Sequence, residues 1–336
     1  MRFTHLLASL ASLGLATTGC LGTTGDGRSN NRGADQAGTT DGSGDATGSG
    51  AQCAELDQDL NVTSTADMAG LPKTGCFDLY GKLTISGPAI TSLAGLGGLN
   101  SVNELVLDNT GLTTLDTKGD VGIYGKLTVT GNPKLTNLKK LAFGNAPVQV
   151  LIDNNAQLAS LDAFAVGDPQ LAQVTGDLTI TNNPRLAAIK APYLTSVTGA
   201  VTIANNTALT SLDLSPLTGA GSLAITSNPA LGSLATMTSL YRVAGNLTIN
   251  GNAALSNLGA FTTSLKYVDA MLNVSNNGAL ADLGALKHLA LVGAITITGN
   301  ASLLACRATE VDRCTSHPIS SVIGNNKSSS CSWQCN

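Results

Sequence analysis

The chain is poor in charge, with Asp, Glu, Lys and Arg together only 12% of its 336 residues, and poorer still in aromatic rings, at 3%. Any core must therefore be built from stacked aliphatic side chains and tight turns rather than from large rings. The 18 Lys and Arg against 22 Asp and Glu leave a formal net charge of −4. No basic cluster accompanies that mild acidity, so the electrostatic footprint for nucleic acid or anionic lipid is missing. Metal chemistry lacks its spacing too: the seven cysteines form no CxxC pair, and beyond the N-terminal apolar run only His288 and His317 remain as imidazoles, a poor zinc set. Calcium-binding nonapeptides of the GGxGxDx type are absent. His288 has no serine or cysteine nucleophile motif beside it. No cofactor and no small-molecule substrate are expected.

What is present is a repeat. Residues 178–186, LTITNNPRL, show its unit. Leu178 and Ile180 alternate with Thr179 as the inward side chains of a half-buried strand do. Asn182-Asn183-Pro184 then stops the strand, because Asn tolerates the left-handed region and Pro cannot donate to a ladder. Equivalent strand starts stand at Leu83, Leu105, Leu127, Val150, Leu178, Val201, Leu223, Leu247, Leu272 and Ile295. Their spacing, roughly 20 to 29 residues throughout, is a period that marks a solenoid. The turn residue recurs as Asn132, Asn155, Asn183, Asn206, Asn228, Asn252, Asn277 and Asn300, usually with leucines three and six positions later, as in Leu209 and Leu212. A buried asparagine in such a column is expected to form a ladder, its amide bonding free backbone groups of the neighbouring turn.

The step from Val150 to Leu178 is longer than the others and implies an inserted loop near Gly167-Asp168-Pro169. Segments between the strands are rich in Gly, Thr, Pro and Asn and too short for stable helices. An all-strand β-helix is therefore favoured over a helix-backed leucine-rich horseshoe.

Residues 1–19 begin with Arg2, pass through an apolar run at 6–16 and end in small residues before Cys20. They read as an export signal, too short to span a bilayer. Residues 20–52, with runs such as DGSGDATGSG and no aromatic residue, cannot bury enough apolar surface to fold and are expected to be a disordered tether. Residues 53–82 are expected to form an N-terminal cap, 83–305 the repeat solenoid, and 306–336 a Cys-rich C-terminal cap. No cysteine lies within the repeats, so six of the seven can hold the raw ends shut, as suits an exported protein. Cys53 is expected to pair with Cys76. Cys306, Cys314, Cys331 and Cys335 can pair among themselves in three ways, of which Cys306 with Cys331 and Cys314 with Cys335 is favoured.

Gly19-Cys20 after the apolar run resembles the lipobox of bacterial lipoproteins, in which the cysteine is acylated and becomes the new N-terminus; a plain secretory signal is the alternative. The unit G-x-L-x-I-x-x-N-x-x-L-x-x-L, seen at residues 176–189 and 245–258, resembles the receptor L domain and its leucine-rich-repeat-like relatives. That resemblance covers roughly residues 77–326. It implies an all-β, right-handed parallel β-helix, here of about ten coils with disulfide-bonded caps, used for protein recognition or cell-surface structure and carrying no catalytic residues. Cys306, the charged stretch 307–313, the VIGN run at 322–325 and Cys331 look like the closing turn of bacterial surface lipoproteins with such repeats. Leu21 after the lipobox cysteine favours transport to the outer membrane.

Parallel β-helices also house polysaccharide-acting enzymes, which need carboxylates clustered on one face. The outward strand positions instead read Thr84, Val106, Thr128, Leu151, Thr179, Thr202, Ala224, Thr248, Asn273 and Thr296. Asp108 and Asp153, at strand ends two coils apart, read as turn residues. The expectation is a non-enzymatic, lipid-anchored surface lipoprotein whose Thr128, Thr179, Thr202, Thr248 and Thr296 face contacts a surface or extracellular protein. A passive spacer is the first alternative, and a polysaccharide-acting enzyme or an ice-binding hydroxyl lattice stand behind it. Aromatic rings for stacking sugars are missing from this row.

Overall fold

The computed structural model describes residues 53–72, 74–144, 146–164, 171–259, 261–284, 286, 289–315 and 320–324. The expected signal, Cys20 and tether, the loop at 167–169, His288, His317, Cys331 and Cys335 lie outside the described residues. Within them the chain winds as an all-β parallel solenoid of about eleven turns.

The strand starts stand beside one another without a break. Leu60 pairs with Leu83, Leu83 with Leu105, and so on through Leu127, Val150, Leu178, Val201, Leu223, Leu247, Leu272 and Ile295 to Ser321. The stack thus runs one rung beyond each end of the ten starts visible in the sequence: strands Leu60–Val62 and Ser320–Gly324 join the sheet from the regions expected to be caps. The long step leaves the register intact, since Val150 pairs directly with Leu178. Phe164, in the longer coil behind that pair, lies 5.7 Å from Phe143 between ring centroids, so two of the few rings fill the extra width.

Each coil buries the same aliphatic set. In the coil that starts at Leu178 these are Leu178, Ile180, Leu186, Ile189, Leu194 and Val197, all at most 1% exposed. A branched aliphatic side chain fully removed from water contributes about 1.5 to 3 kcal/mol, and stacking places each of them on its counterpart in the next coil. The back of the stack carries turns and short pieces: strand Ala188–Lys190 pairs with Ser211–Asp213, and isolated bridges join Ser233, Asn257 and Asp282. Helix there comes in brief pieces such as Ala94–Leu96, Asp162–Phe164 and Phe261–Ser264. None is long enough to back a coil as the helices of a horseshoe would, in keeping with the glycine- and proline-rich connections.

The ends differ. At the N-terminal end Cys53 and Cys76 form a disulfide with Cα atoms 4.6 Å apart, beside strand Ala54–Leu56, which pairs with Phe77–Ser86. At the other end helix Ala305–Cys314, which the periodic pattern does not announce, buries Cys306, Ala308, Glu310 and Val311. Cys306 and Cys314 are both disulfide-bonded.

Each coil also turns a corner two residues before its strand start. Glycine occupies seven of the ten corners, at Gly81, Gly125, Gly176, Gly199, Gly221, Gly245 and Gly293, and the reason is close approach. A Cβ at Gly221 would stand 2.3 Å from the carbonyl oxygen of Thr198 and 2.6 Å from that of Gly199. That backbone can yield only by parting two coils. Gly221→Ala is therefore expected to destabilise the fold by about 1 to 3 kcal/mol. Gly232→Ala, where a Cβ meets nothing within 4 Å, is expected to stay within about 0.5 kcal/mol. Thermal melts of the two variants check this, and equal midpoints would remove the corner column as a constraint.

Candidate functional site

The front sheet is fixed along one margin by asparagines. Asn132, Asn155, Asn183, Asn206, Asn228, Asn252, Asn277 and Asn300 are each 0% exposed. The backbone N–H of Asn132 donates to Oδ1 of Asn155 at 3.1 Å, that of Asn155 to Asn183, and the relay continues through Asn206, Asn228, Asn252 and Asn277 to Asn300. Each Nδ2 donates back to a strand carbonyl of the preceding coil, Leu107 for Asn132 and Ile180 for Asn206, both at 2.9 Å. Several also donate to the carbonyl two residues earlier in their own coil, as Asn228 does to Thr226 at 3.0 Å. The two amide protons are then used on two carbonyls, and the approach of one side-chain amide to the next adds little further bonding.

The residue before each ladder position is left-handed: Asn109, Asn154, Asn182, Asn205, Ser227 and Asn276 have φ between 49° and 58°, and Gly131, Gly251 and Gly299 fall between 64° and 71°. This explains the recurrent Asn-Asn doublet. The first asparagine accepts the backbone conformation that most side chains resist, and the second is buried and bonds the neighbouring coil.

In front of that margin lies the row Thr84, Val106, Thr128, Leu151, Thr179, Thr202, Ala224, Thr248, Asn273 and Thr296, paired residue to residue. Every member is half-buried. Thr179 and Thr202 are direct neighbours, whereas Leu151, Ala224 and Asn273 separate Thr128, Thr248 and Thr296 from them. Asn61 and Val322 extend the row by one rung at either end. Eleven steps at about 4.8 Å then make it about 53 Å long.

A second outward row carries Asp108 and Asp153, and both carboxylates are engaged. Asp108 accepts the Thr130 hydroxyl at 2.8 Å. Asp153 accepts the Thr181 hydroxyl at 2.5 Å and the Asn182 amide at 2.7 Å. Each binds the adjacent coil, in the role of a turn residue beside the ladder.

A different outward face, on the strand segments that precede the corners, holds a cluster that no motif announces. Arg242 pairs in register with Tyr267, and Tyr267 with Leu291. Tyr241 and Tyr267 meet edge to face, 5.3 Å between centroids. The Arg242 guanidinium lies 5.8 Å over the Tyr267 ring and donates through Nε to Asp269 Oδ2 at 2.9 Å. That carboxylate raises the Arg242 pKa, through its hydrogen bond first and its charge second. Tyr241 is likewise raised, chiefly by its hydrogen bond with Tyr267. Asp269 Oδ1 is buried and has no hydrogen-bond partner. Its signal in the sequence is faint: two tyrosines, an arginine and an aspartate at unrelated spacings become neighbours only once the register is known.

Comparisons of the chain with protein-family models, with curated proteins and with solved structures find no match.

Removing a ladder amide strands a buried N–H. Asn206→Ala leaves the Asn183 N–H without its acceptor and takes the side-chain donor from the Ile180 carbonyl, and Asn228→Ala does the same to the Asn206 N–H and the Ile203 carbonyl. Each stranded group costs about 1 to 3 kcal/mol. Arg185→Ala, exposed in a neighbouring turn, is expected to cost within about 0.5 kcal/mol. Chemical denaturation of the three variants decides the matter, and a ladder variant as stable as Arg185→Ala would refute the buried network.

Proposed function

We propose that the chain is an exported, lipid-anchored lipoprotein of a bacterial outer envelope, and that its solenoid is a non-enzymatic protein-recognition module related in kind to receptor L domains. The observation that carries this is the front sheet: a flat row about 53 Å long, of threonine interrupted by aliphatics, held in fixed register from behind. Such a surface suits a macromolecule better than a metabolite, which needs a concave site to lose most of its hydration. Carboxylates on the sheet are occupied in binding adjacent coils, which favours a scaffold role for them over acid–base chemistry. A passive spacer is the second reading, favoured by the same bonds, since a solvated strand face also prefers threonine.

The anchor rests on the sequence, on the apolar run, Gly19-Cys20 and the glycine-rich stretch behind it. A tether of about thirty flexible residues would have an r.m.s. span of about 30 Å, enough to lift the sheet clear of a membrane. A single acyl chain holds a protein weakly and several hold it firmly. Cys20→Ser is therefore expected to move the protein from the membrane to the soluble fraction; the same membrane share in both forms would end the lipoprotein assignment.

Recognition is tested on the face itself. Replacing Thr179, Thr202 and Thr248 together by Lys is expected to abolish capture of a partner protein from the native envelope while leaving the melt nearly unchanged. If no partner is captured by the unmodified chain, the spacer replaces the recognition module. If capture survives the triple substitution, the partner binds elsewhere.

A further inference from the structure

We propose that the outward face on the strand segments before the corners, that of Tyr241, Tyr267 and Arg242, binds a neutral polysaccharide chain lying along the stack. It is separate from the threonine row and does not depend on the protein-recognition role.

Two stations of exposed rings share that face. Each coil places one outward residue immediately after a buried one: Tyr80 follows Leu79, Tyr124 follows Ile123, and Asp269 follows Val268, in matching places of the register. Tyr80 and Tyr124 are 54% and 44% exposed, and Tyr241 is 51% exposed. This is a large outlay of ring surface for a chain with only 3% aromatics. Tyr124 and Asp269 are six rungs apart, about 29 Å at about 4.8 Å per rung. Between the stations the outward places among the described residues carry Gly144, Thr175, Thr198, Gly221 and Ala244, with Pro147 bonded to Thr175 and the neighbouring Val148 50% exposed, so a chain laid from one to the other meets small residues and one apolar step. A compact ligand would use one station; a polymer can use both.

The chemistry at the C-terminal station fits a sugar. A tyrosine ring offers an apolar face that packs on the C–H side of a pyranose, with a hydroxyl at its rim. Beside it the Arg242 side chain, 58% exposed, presents guanidinium donors that Asp269 and Tyr267 hold in place. Asp269 Oδ1 is a buried acceptor with no partner, and a buried polar group left so calls for an explanation. A hydroxyl donor arriving as the guanidinium shifts would satisfy it. Arg242 is balanced by Asp269, and elsewhere on the stack Lys126 is balanced by Glu104 and Lys140 by Asp120. With the Arg242 guanidinium neutralised in place beside the rings, that contact adds little field to draw a polyanion, and its match is to hydroxyls.

The test is affinity electrophoresis of the full chain through gels cast with hydroxyethyl cellulose, galactomannan or laminarin. Retardation by at least one of these is expected. Tyr241→Ala and Arg242→Gln are each expected to weaken it about tenfold, the worth of one stacked ring or one good contact. Tyr80→Ala with Tyr124→Ala is expected to weaken binding of the polymer but not of a trisaccharide of the same sugar, too short to reach both stations, titrated by NMR. The Thr179, Thr202 and Thr248 triple lysine variant is expected to bind the polysaccharide as the unmodified chain does. Thermal melts confirm that the surface variants are folded. Absence of retardation by all three polymers, or an unchanged Tyr241→Ala, overturns the proposal; so does loss of a captured envelope protein, rather than of a polysaccharide, on changing Tyr241.

Discussion

A buried turn that cannot supply its own hydrogen bonds is the constraint on which the rest of this structure depends. At the end of every front strand the backbone enters the interior, where the N–H of the ladder residue finds no strand partner. An unpaired group there would cost about 1 to 3 kcal/mol, and the cost would be repeated in each coil. Asparagine is the side chain that answers both halves of the need. Its Oδ1 receives the N–H from the coil before, and its Nδ2 returns two protons to carbonyls. Aspartate would lack the donor and leucine would lack both. The amide also fixes the distance between coils, which is why the short step from Leu105 to Leu127 and the long one from Val150 to Leu178 arrive at the same register.

That fixed register turns sequence positions into straight rows, so every coil contributes to every face at the same height. Rows made of one residue type are repetitive surfaces with little to distinguish one place from another. Identity comes from the departures. Leu151, Ala224 and Asn273 break the threonine row, while Tyr80, Tyr124, Tyr241 and Tyr267 stand out from a chain with few rings. Where the repeat could have tolerated a small neutral residue, as it does at Thr198 and Ala244, an exposed tyrosine or a half-buried aspartate with one unbonded oxygen is not dictated by stacking. Sites on a solenoid are therefore best sought in what the repeat does not require.

The period, the inward Leu178-x-Ile180 pattern and the asparagine column were legible in the sequence because each is a local rule applied in coil after coil. Features that occur once were not. The rung at Leu60–Val62 escapes because it precedes any asparagine turn, and that at Ser320–Gly324 because serine stands where the other coils have an aliphatic strand start. Helix Ala305–Cys314 begins where the expected spacing places a buried leucine, and Cys306 fills that place, so the same inward position belongs to a different element. Neighbours across the sheet come from successive coils and are far apart along the chain. The Tyr241, Arg242, Tyr267 and Asp269 cluster therefore could not be assembled until the step between their coils, from Leu247 to Leu272, was tied to a register.

The ladder also has a direction, and its beginning shows how such a network can start without leaving an orphan. Each N–H donates toward the C-terminal coil, so the first member needs an acceptor ahead of it and nothing behind. Thr110 is that member: it is 0% exposed, and both its N–H and its hydroxyl donate to Asn132 Oδ1, at 2.9 and 2.6 Å. The equivalent place one coil earlier is Pro88. Proline has no N–H to satisfy, so the carbonyl-type acceptor that an asparagine would bring to position 110 has nothing to receive. Threonine suffices there, and the network begins at the one residue type that makes no demand on it. Toward the other end each new asparagine passes the same requirement forward, through Asn277 to Asn300. The sequence carries a further asparagine doublet at 325–326, outside the described residues. A solenoid built this way is easy to begin and must be actively stopped, and it is at that end that helix Ala305–Cys314 and its two disulfide-bonded cysteines stand.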